Sequence, residues 1–293
     1  MKTRLNTGLR INVLDEVDFC DEIPRVVYQT YHSKLLPDDI SENINYMKSM
    51  NSDWDFNILD DNDVCDFITK NYNSKVLNYY KKINPEYGPA RADLFRYLAL
   101  YKFGGVYLDI KSSCKKPLND YFSTGHSFYV TQWHNMDPDS PEFGWAKHSE
   151  IAHIPGYEFQ QWFICSAPGH PLMRYAIERI FYNIDKYNPS FDGFGKDAVL
   201  RVTGPIAYTL SLHDKIDTKD FNVKKYTNYR ETGLVYSIYE VDGYRANKHG
   251  HEFLFKKHYT KLLSPVVKIS LVRRIYLKLL TEVINFFERK LSA

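Results

Sequence analysis

A helix that runs into a double glycine and becomes a strand at the very next residues constrains this chain more than any other feature. From Pro89 to Phe103, Leu94, Leu98 and Tyr101 recur at helical spacing, Gly104 and Gly105 terminate the pattern, and Val106-Tyr107-Leu108-Asp109-Ile110 reads as a buried strand. The preceding segments follow the same alternation. Ile23 to Tyr31 is rich in β-branched and aromatic residues and predicts a first strand, and Pro37 opens a helix with Ile40, Ile44 and Met47 on one face. Asp53 to Asp61 alternates Trp54, Phe56 and Ile58 with polar residues, as a strand does, and Asp61 is placed to cap a helix carrying Val64, Phe67 and Ile68. A short helix follows over Ser74 to Ile83. Strands alternating with helices predict an α/β domain with a mostly parallel sheet, whose ligands lie beyond the carboxyl ends of the strands. Farther on, a strand is expected over Ser127 to Gln132, helices over Pro171 to Tyr187 and Thr203 to Leu212, and late strands at Val223 and Leu234 to Val241.

The 293 residues are 44% hydrophobic, enough for one large core, with no repeat or low-complexity linker to divide them. The reading is one domain over residues 1–264 and a C-terminal basic amphipathic helix over 265–293, in which apolar residues from Val266 to Phe286 recur at steps of three or four among Lys268, Arg273, Arg274, Lys278, Arg289 and Lys290. Such a helix suits a peripheral membrane contact through residues 266–292 or packing on the domain itself. A net charge of +2 lacks the basic stripe of nucleic-acid binders, so no nucleic-acid partner is expected. Four cysteines without a close pair suggest neither a zinc site nor a disulfide framework, and no export signal or spanning run is visible, so a cytoplasmic location, peripheral on the membrane, is expected.

Chemistry concentrates between Arg91 and Pro117. Asp93 and Arg96 lie three apart on one helical face, and Asp109 ends a buried strand, where a carboxylate is costly unless paired or liganded. They read equally as a site or as a surface pair and a turn cap.

The same residues carry a family resemblance. Ala92-Asp93-Leu94-Phe95-Arg96, then Phe103-Gly104-Gly105-Val106-Tyr107-Leu108-Asp109-Ile110, then Lys116-Pro117-Leu118 resemble the Asp-x-Asp sugar-binding glycosyltransferases of family 32 and the related capsular polysaccharide synthesis proteins. Ile23 to Tyr31, Trp54 to Asp61, Pro168 to Leu172 and Thr203-Gly204-Pro205 resemble further blocks in family order, so that the likeness covers roughly residues 20–260. It implies a GT-A fold with a single Rossmann-like, mixed and mostly parallel sheet. It also implies transfer of a sugar, with retention of configuration, from a nucleotide-diphosphate-sugar to a hydroxyl of a glycan or lipid-linked glycan in surface polysaccharide synthesis. Asp93, Arg96 and Asp109 correspond to the catalytic set, with Tyr28, Gln29, Thr30, Arg91, Tyr107, Lys111 and Gly204 on the donor side and Gln161 and Trp162 on the acceptor side. Asp109 matches the first motif aspartate, which contacts the ribose and the water shell of a divalent manganese or magnesium ion. Rival readings are a catalytically silent sugar-nucleotide or glycan-binding protein and a nucleotidyltransferase, although Ile23 to Leu35 lacks the glycine-rich loop of the latter.

The chain departs from the pattern at the second aspartate, where Lys111 stands. A protonated lysine cannot ligate a cation, although it can neutralise a diphosphate as a point charge or turn to solvent. A cation would then have to be held by the donor diphosphate, Asp109 and a late histidine, His249 or His251, and bind weakly without donor.

Overall fold

The computed structural model describes residues 13–122, 125–241, 244–245 and 259–291. In chain order the elements are β1 (Val26–Thr30), α1 (Asp38–Met50), β2 (Asp55–Leu59), α2 (Asp61–Asn71), α3 (Ser74–Lys82), α4 (Gly88–Phe103), β3 (Gly105–Leu108) and β4 (Ser113–Cys114). Then come β5 (Phe128–Thr131), β6 (Phe163–Ser166), α5 (Pro171–Lys186), α6 (Pro189–Asp192), α7 (Gly195–Val202), α8 (Pro205–Leu212), β7 (Val223–Tyr226), β8 (Leu234–Val235), β9 (Glu240–Val241), β10 (Tyr244–Arg245) and α9 (Leu271–Leu291).

Six strands form the central sheet in the order β2-β1-β3-β6-β5-β7. Strand β1 runs parallel to β2 and β3, and β5 parallel to β7, while β6 is antiparallel to both of its neighbours. The sheet is therefore mixed and mostly parallel, as the α/β alternation requires. The reversed β6, for which the sequence shows no strand periodicity, has a geometric consequence. Its amino end lies at the same edge as the carboxyl ends of β1 and β3, with Leu108 registered against Phe163. Two loops from opposite chain directions therefore meet there.

Side chains alternate across the sheet. Tyr28 and Tyr107 enter the larger core with α2, α3, α4, α5, α7 and α8, whereas Val27, Val106 and Leu108 enter the smaller one under α1. Helix α4 is buried on all sides from Asp93 to Tyr101, which makes it the axis of the larger core and explains why its residues show no amphipathic stripe. At its end Gly104 has φ +67° and its N–H bonds the Leu100 carbonyl at 2.9 Å. Gly105 follows at φ +102°, and a Cβ there would stand 2.6 Å from the Val26 carbonyl oxygen. The double glycine thus turns the chain and lets β3 close on β1.

Two expectations change. The cap of α2 is Asp60, not Asp61: its carboxylate accepts from the N–H groups of Asn62 and Asp63, and Asp63 returns the bond in a capping box. The C-terminal segment does not become helical at Pro265. Val266 and Val267 are buried in the larger core, the Asn84 N–H bonds the Val266 carbonyl at 2.8 Å and the Lys268 N–H bonds the Lys82 carbonyl at 2.8 Å, so an extended strap precedes α9. Proline and two β-branched residues favour that extended form.

Candidate functional site

At the carboxyl edge of β1 and β3, a buried arginine joins two carboxylates. Arg96 Nη2 lies 3.2 Å from Asp93 Oδ1 and 3.3 Å from Asp109 Oδ1. Asp93 and Arg96 face each other because they are one helical turn apart on α4, and Asp109 arrives from the adjoining strand. Their exposures differ in a telling way: the Asp93 and Arg96 side chains are 2% and 5% exposed, and that of Asp109 is 28% exposed. Of the three, only Asp109 is open to solvent.

Each is oriented by neighbours. Asp93 accepts from Gln161 Nε2 at 3.0 Å and Thr203 Oγ1 at 2.8 Å, and the Tyr97 hydroxyl in turn donates to Gln161 Oε1. Arg96 donates to the Gln161 carbonyl and its guanidinium lies 4.3 Å above the Tyr107 ring. The Asp109 N–H donates to the Trp162 carbonyl at 2.8 Å, and Gln29 Nε2 donates to the Asp109 carbonyl at 3.3 Å. Gln29 is fully buried, and its Oε1 is an unpartnered acceptor among the described residues. Thr30 and Tyr107 share a hydroxyl bond of 2.9 Å.

Burial dominates the proton chemistry. It pushes the Asp93 carboxyl up to about 6 from an ordinary 3.8, against the pull of Arg96, Thr203 and Gln161. For Arg96, burial pulls the pKa down, but Tyr107, Asp109 and Asp93 outweigh it and hold it above the ordinary arginine range, so the fork stays charged. Between pH 3.8 and about 6 the folded chain keeps a proton on Asp93 that the unfolded chain has lost. The stabilisation by the protonated form is complete below that window and is lost as pH rises through it. The melting temperature of the wild type, taken relative to Asp93→Asn, should therefore fall from pH 4 to pH 7. A difference that stays flat, or rises, removes this titration from the account.

Lys111 does not turn to solvent. It is 9% exposed, its Nζ donates to the Tyr236 hydroxyl at 2.9 Å and stands 4.1 Å from that ring's centroid. Tyr236 packs edgewise on Trp133 and tilts against Trp162, and the Ser112 hydroxyl donates to its carbonyl. An aromatic wall thus holds a lysine two residues from Asp109. Tyr236 carries no recognisable motif, and the pairing of β4 with β8, continued by the Ile238 N–H bond to the Lys111 carbonyl at 2.9 Å, brings it here.

Other anticipated residues sit elsewhere. Tyr28 is no stacking platform, since its ring is buried edgewise against Phe95 and Phe67. Arg91, roughly 140° around α4 from Arg96, stacks on Tyr80 and donates to the Ile83 carbonyl at 3.4 Å. Gly204 is a packing glycine at the junction of α7 and α8, where a Cβ would stand 2.8 Å from the Val199 carbonyl oxygen. Gln161 joins the buried Asp93 network instead of an open acceptor face, and the buried Trp162 contributes its carbonyl and the aromatic wall. His249 and His251 lie outside the described residues.

A divalent cation implied by the Asp-x-Asp resemblance is not well served by the described residues. Of the motif carboxylates only Asp109 is present and Arg96 already occupies it; Lys111 stands in place of the other, and no cluster of three or more histidine, cysteine, aspartate or glutamate side chains suited to a metal exists among the described residues. They do not fit a resident metal.

An α/β domain with a charged, partly buried site at the carboxyl edge of its sheet is thereby defined. Residues 37–139, which include Asp93, Arg96, Asp109 and Lys111, match the family described as the glycosyltransferase sugar-binding region containing a DXD motif. The chain is 27% identical over 173 residues to inositol phosphoceramide mannosyltransferase 1 of Schizosaccharomyces pombe, covering 57% of this chain and 44% of that protein. It is 25% identical over 231 residues to the initiation-specific alpha-1,6-mannosyltransferase of the same organism, covering 75% of this chain and 56% of that protein. The chain thus spans about half the length of these curated relatives. Among solved structures it is similar to PaToxG glycosyltransferase, at 15% identity and a TM-score of 0.47 over 68% of this chain and 72% of that one.

Proposed function

We propose that this chain is a glycosyltransferase of the GT-A type that moves a hexose from a nucleoside-diphosphate donor to a hydroxyl of a glycan or lipid-linked glycan. The observation that carries the reading is the Arg96 fork held between Asp93 and Asp109 inside the segment that matches the sugar-binding family. The leaving diphosphate accumulates negative charge, and a desolvated, preorganised guanidinium stabilises that charge more than water does. Arg96 supplies it, with Lys111 as a second fixed cation; Asp109 receives sugar or ribose hydroxyls; Asp93, with Gln161 and Thr203, keeps the fork in place. Transfer with retention needs no separate general base when the departing phosphate takes the acceptor proton, and the two relatives named for mannosyl transfer put nucleoside-diphosphate mannose first among donors to test. A role in surface polysaccharide synthesis belongs to the same proposal.

The test is a panel of nucleotide-sugars, scored for nucleoside diphosphate release and for sugar on an added acceptor, with and without chelator. Release with at least one donor is expected, and manganese titrated into the donor-free protein should bind no tighter than roughly 0.1 mM. Donor binding without release from any member would replace the enzyme by a silent sugar-nucleotide binder. Micromolar manganese binding, abolished by Asp109→Ala, would overturn the charge argument at Lys111.

A further inference from the structure

The C-terminal helix offers a surface that the transfer chemistry does not use. Helix α9 docks on the body through one row, Arg273, Leu277 and Thr281, spaced four apart. Arg273 donates to the Asp185 carbonyl, and Asn188 Nδ2 donates to the Thr281 hydroxyl at 3.4 Å. At roughly 100° per residue, Ile275 and Leu279 lie about 160° from Leu277, on the face turned away from the protein. Around them Leu271, Val272, Tyr276 and Val283 continue the same face, and these six side chains are between 51% and 78% exposed. A folded monomer does not ordinarily leave that much contiguous apolar surface in water. The helix is therefore docked through a row with two polar residues in three and turns its apolar face outward, the reverse of a helix covering a core.

The charge around the face selects what covers it. Between Tyr259 and Val283 the chain carries five basic residues, Lys261, Lys268, Arg273, Arg274 and Lys278, against one acid, Glu282, in a protein whose net charge is only +2. Lys261, Lys268 and Arg274 are exposed. Two copies meeting through this face would bring like charges together, whereas an anionic lipid surface accepts the apolar residues among its acyl chains and the cations at its headgroups. The extended strap fixes the helix to the domain, because Val266 and Val267 are buried in the core, so binding positions the whole domain on the surface. We infer that α9 is an interfacial helix that seats the protein on an anionic membrane through the face of Ile275 and Leu279. Among the described residues no helix is long and apolar enough to cross a membrane.

The chain of residues 1–293 should float with vesicles of phosphatidylcholine containing phosphatidylglycerol, and at least tenfold less with phosphatidylcholine alone. The double variant Ile275→Ser with Leu279→Ser should lose at least tenfold in partitioning, and Lys268→Glu with Arg274→Glu should lose the preference for anionic lipid. Both alter exposed side chains, so an unchanged melting temperature confirms that the domain is intact. Flotation equal in the wild type and the Ser variant would overturn the inference. So would a concentration-dependent dimer, lost in the Ser variant, from a protein that binds neither vesicle; a second copy would then be the occupant. Because nucleoside diphosphate release with a soluble acceptor is read separately, failure here leaves the transferase reading standing, and the converse holds.

Discussion

Asp109→Asn should lower sugar-transfer turnover by about two to three orders of magnitude, the usual loss when one preorganised electrostatic contact to the reacting centre is removed, while the melting temperature moves by no more than about 2 °C. The structural grounds are the 28% exposure of the Asp109 side chain and its single described ion pair, to Arg96 at 3.3 Å. A partly solvated pair of this kind contributes little to stability. The backbone of Asp109, which bonds Trp162 and receives Gln29, survives the substitution, so the loop keeps its place. Isotope-labelled transfer assays and calorimetry on the same preparation decide the matter. A variant that unfolds early yet keeps its specific activity would make Asp109 a structural residue and move the donor site elsewhere.

Arg96→Ala is expected to do more damage, and to the fold as well as the reaction. Removing the fork leaves Asp93 at 2% exposure with no cation beside it, and breaking a buried pair from one side costs about 3–5 kcal/mol. At roughly 2–4 °C per kcal/mol for a domain of this size, the melting temperature should fall by about 10 °C at pH 8. The loss should be smaller at pH 5. Without Arg96, the group that pulls its pKa down most, the Asp93 carboxyl rises beyond about 6 and takes up a proton instead of standing as a buried anion. Arg96→Lys separates the two roles, since it restores a charge but not the planar fork that reaches Asp93, Asp109 and the Gln161 carbonyl together. It should recover much of the stability and little of the turnover. Equal losses at both pH values, or full activity in the lysine variant, would refute this division of labour.

Lys111 shows how one substitution in a motif is read differently with and without tertiary structure. On the page it is a missing metal ligand that could equally face solvent. Folded, it is anchored on Tyr236, 125 residues later, beside a wall formed with Trp133 and Trp162. Opposite-direction strands also bring Gln161 to Asp93, so a residue anticipated on an acceptor face becomes part of the buried scaffold around Asp93.

Local rules were enough to determine the α/β alternation, the helix α4, the double-glycine turn and the candidacy of Asp93, Arg96 and Asp109, because helix periodicity, positive φ and the cost of a buried carboxylate are all properties of short segments. The reversed direction of β6, the turning of Tyr28 into the core and the late start of α9 were decided only by tertiary structure. Each depends on which distant segment lies across the sheet or helix: Cys165 opposite Val106, Phe95 against Tyr28, and Ile83 beside Val267. Pairing across such separations is selected by how the whole core fills, and no window along the chain contains both partners.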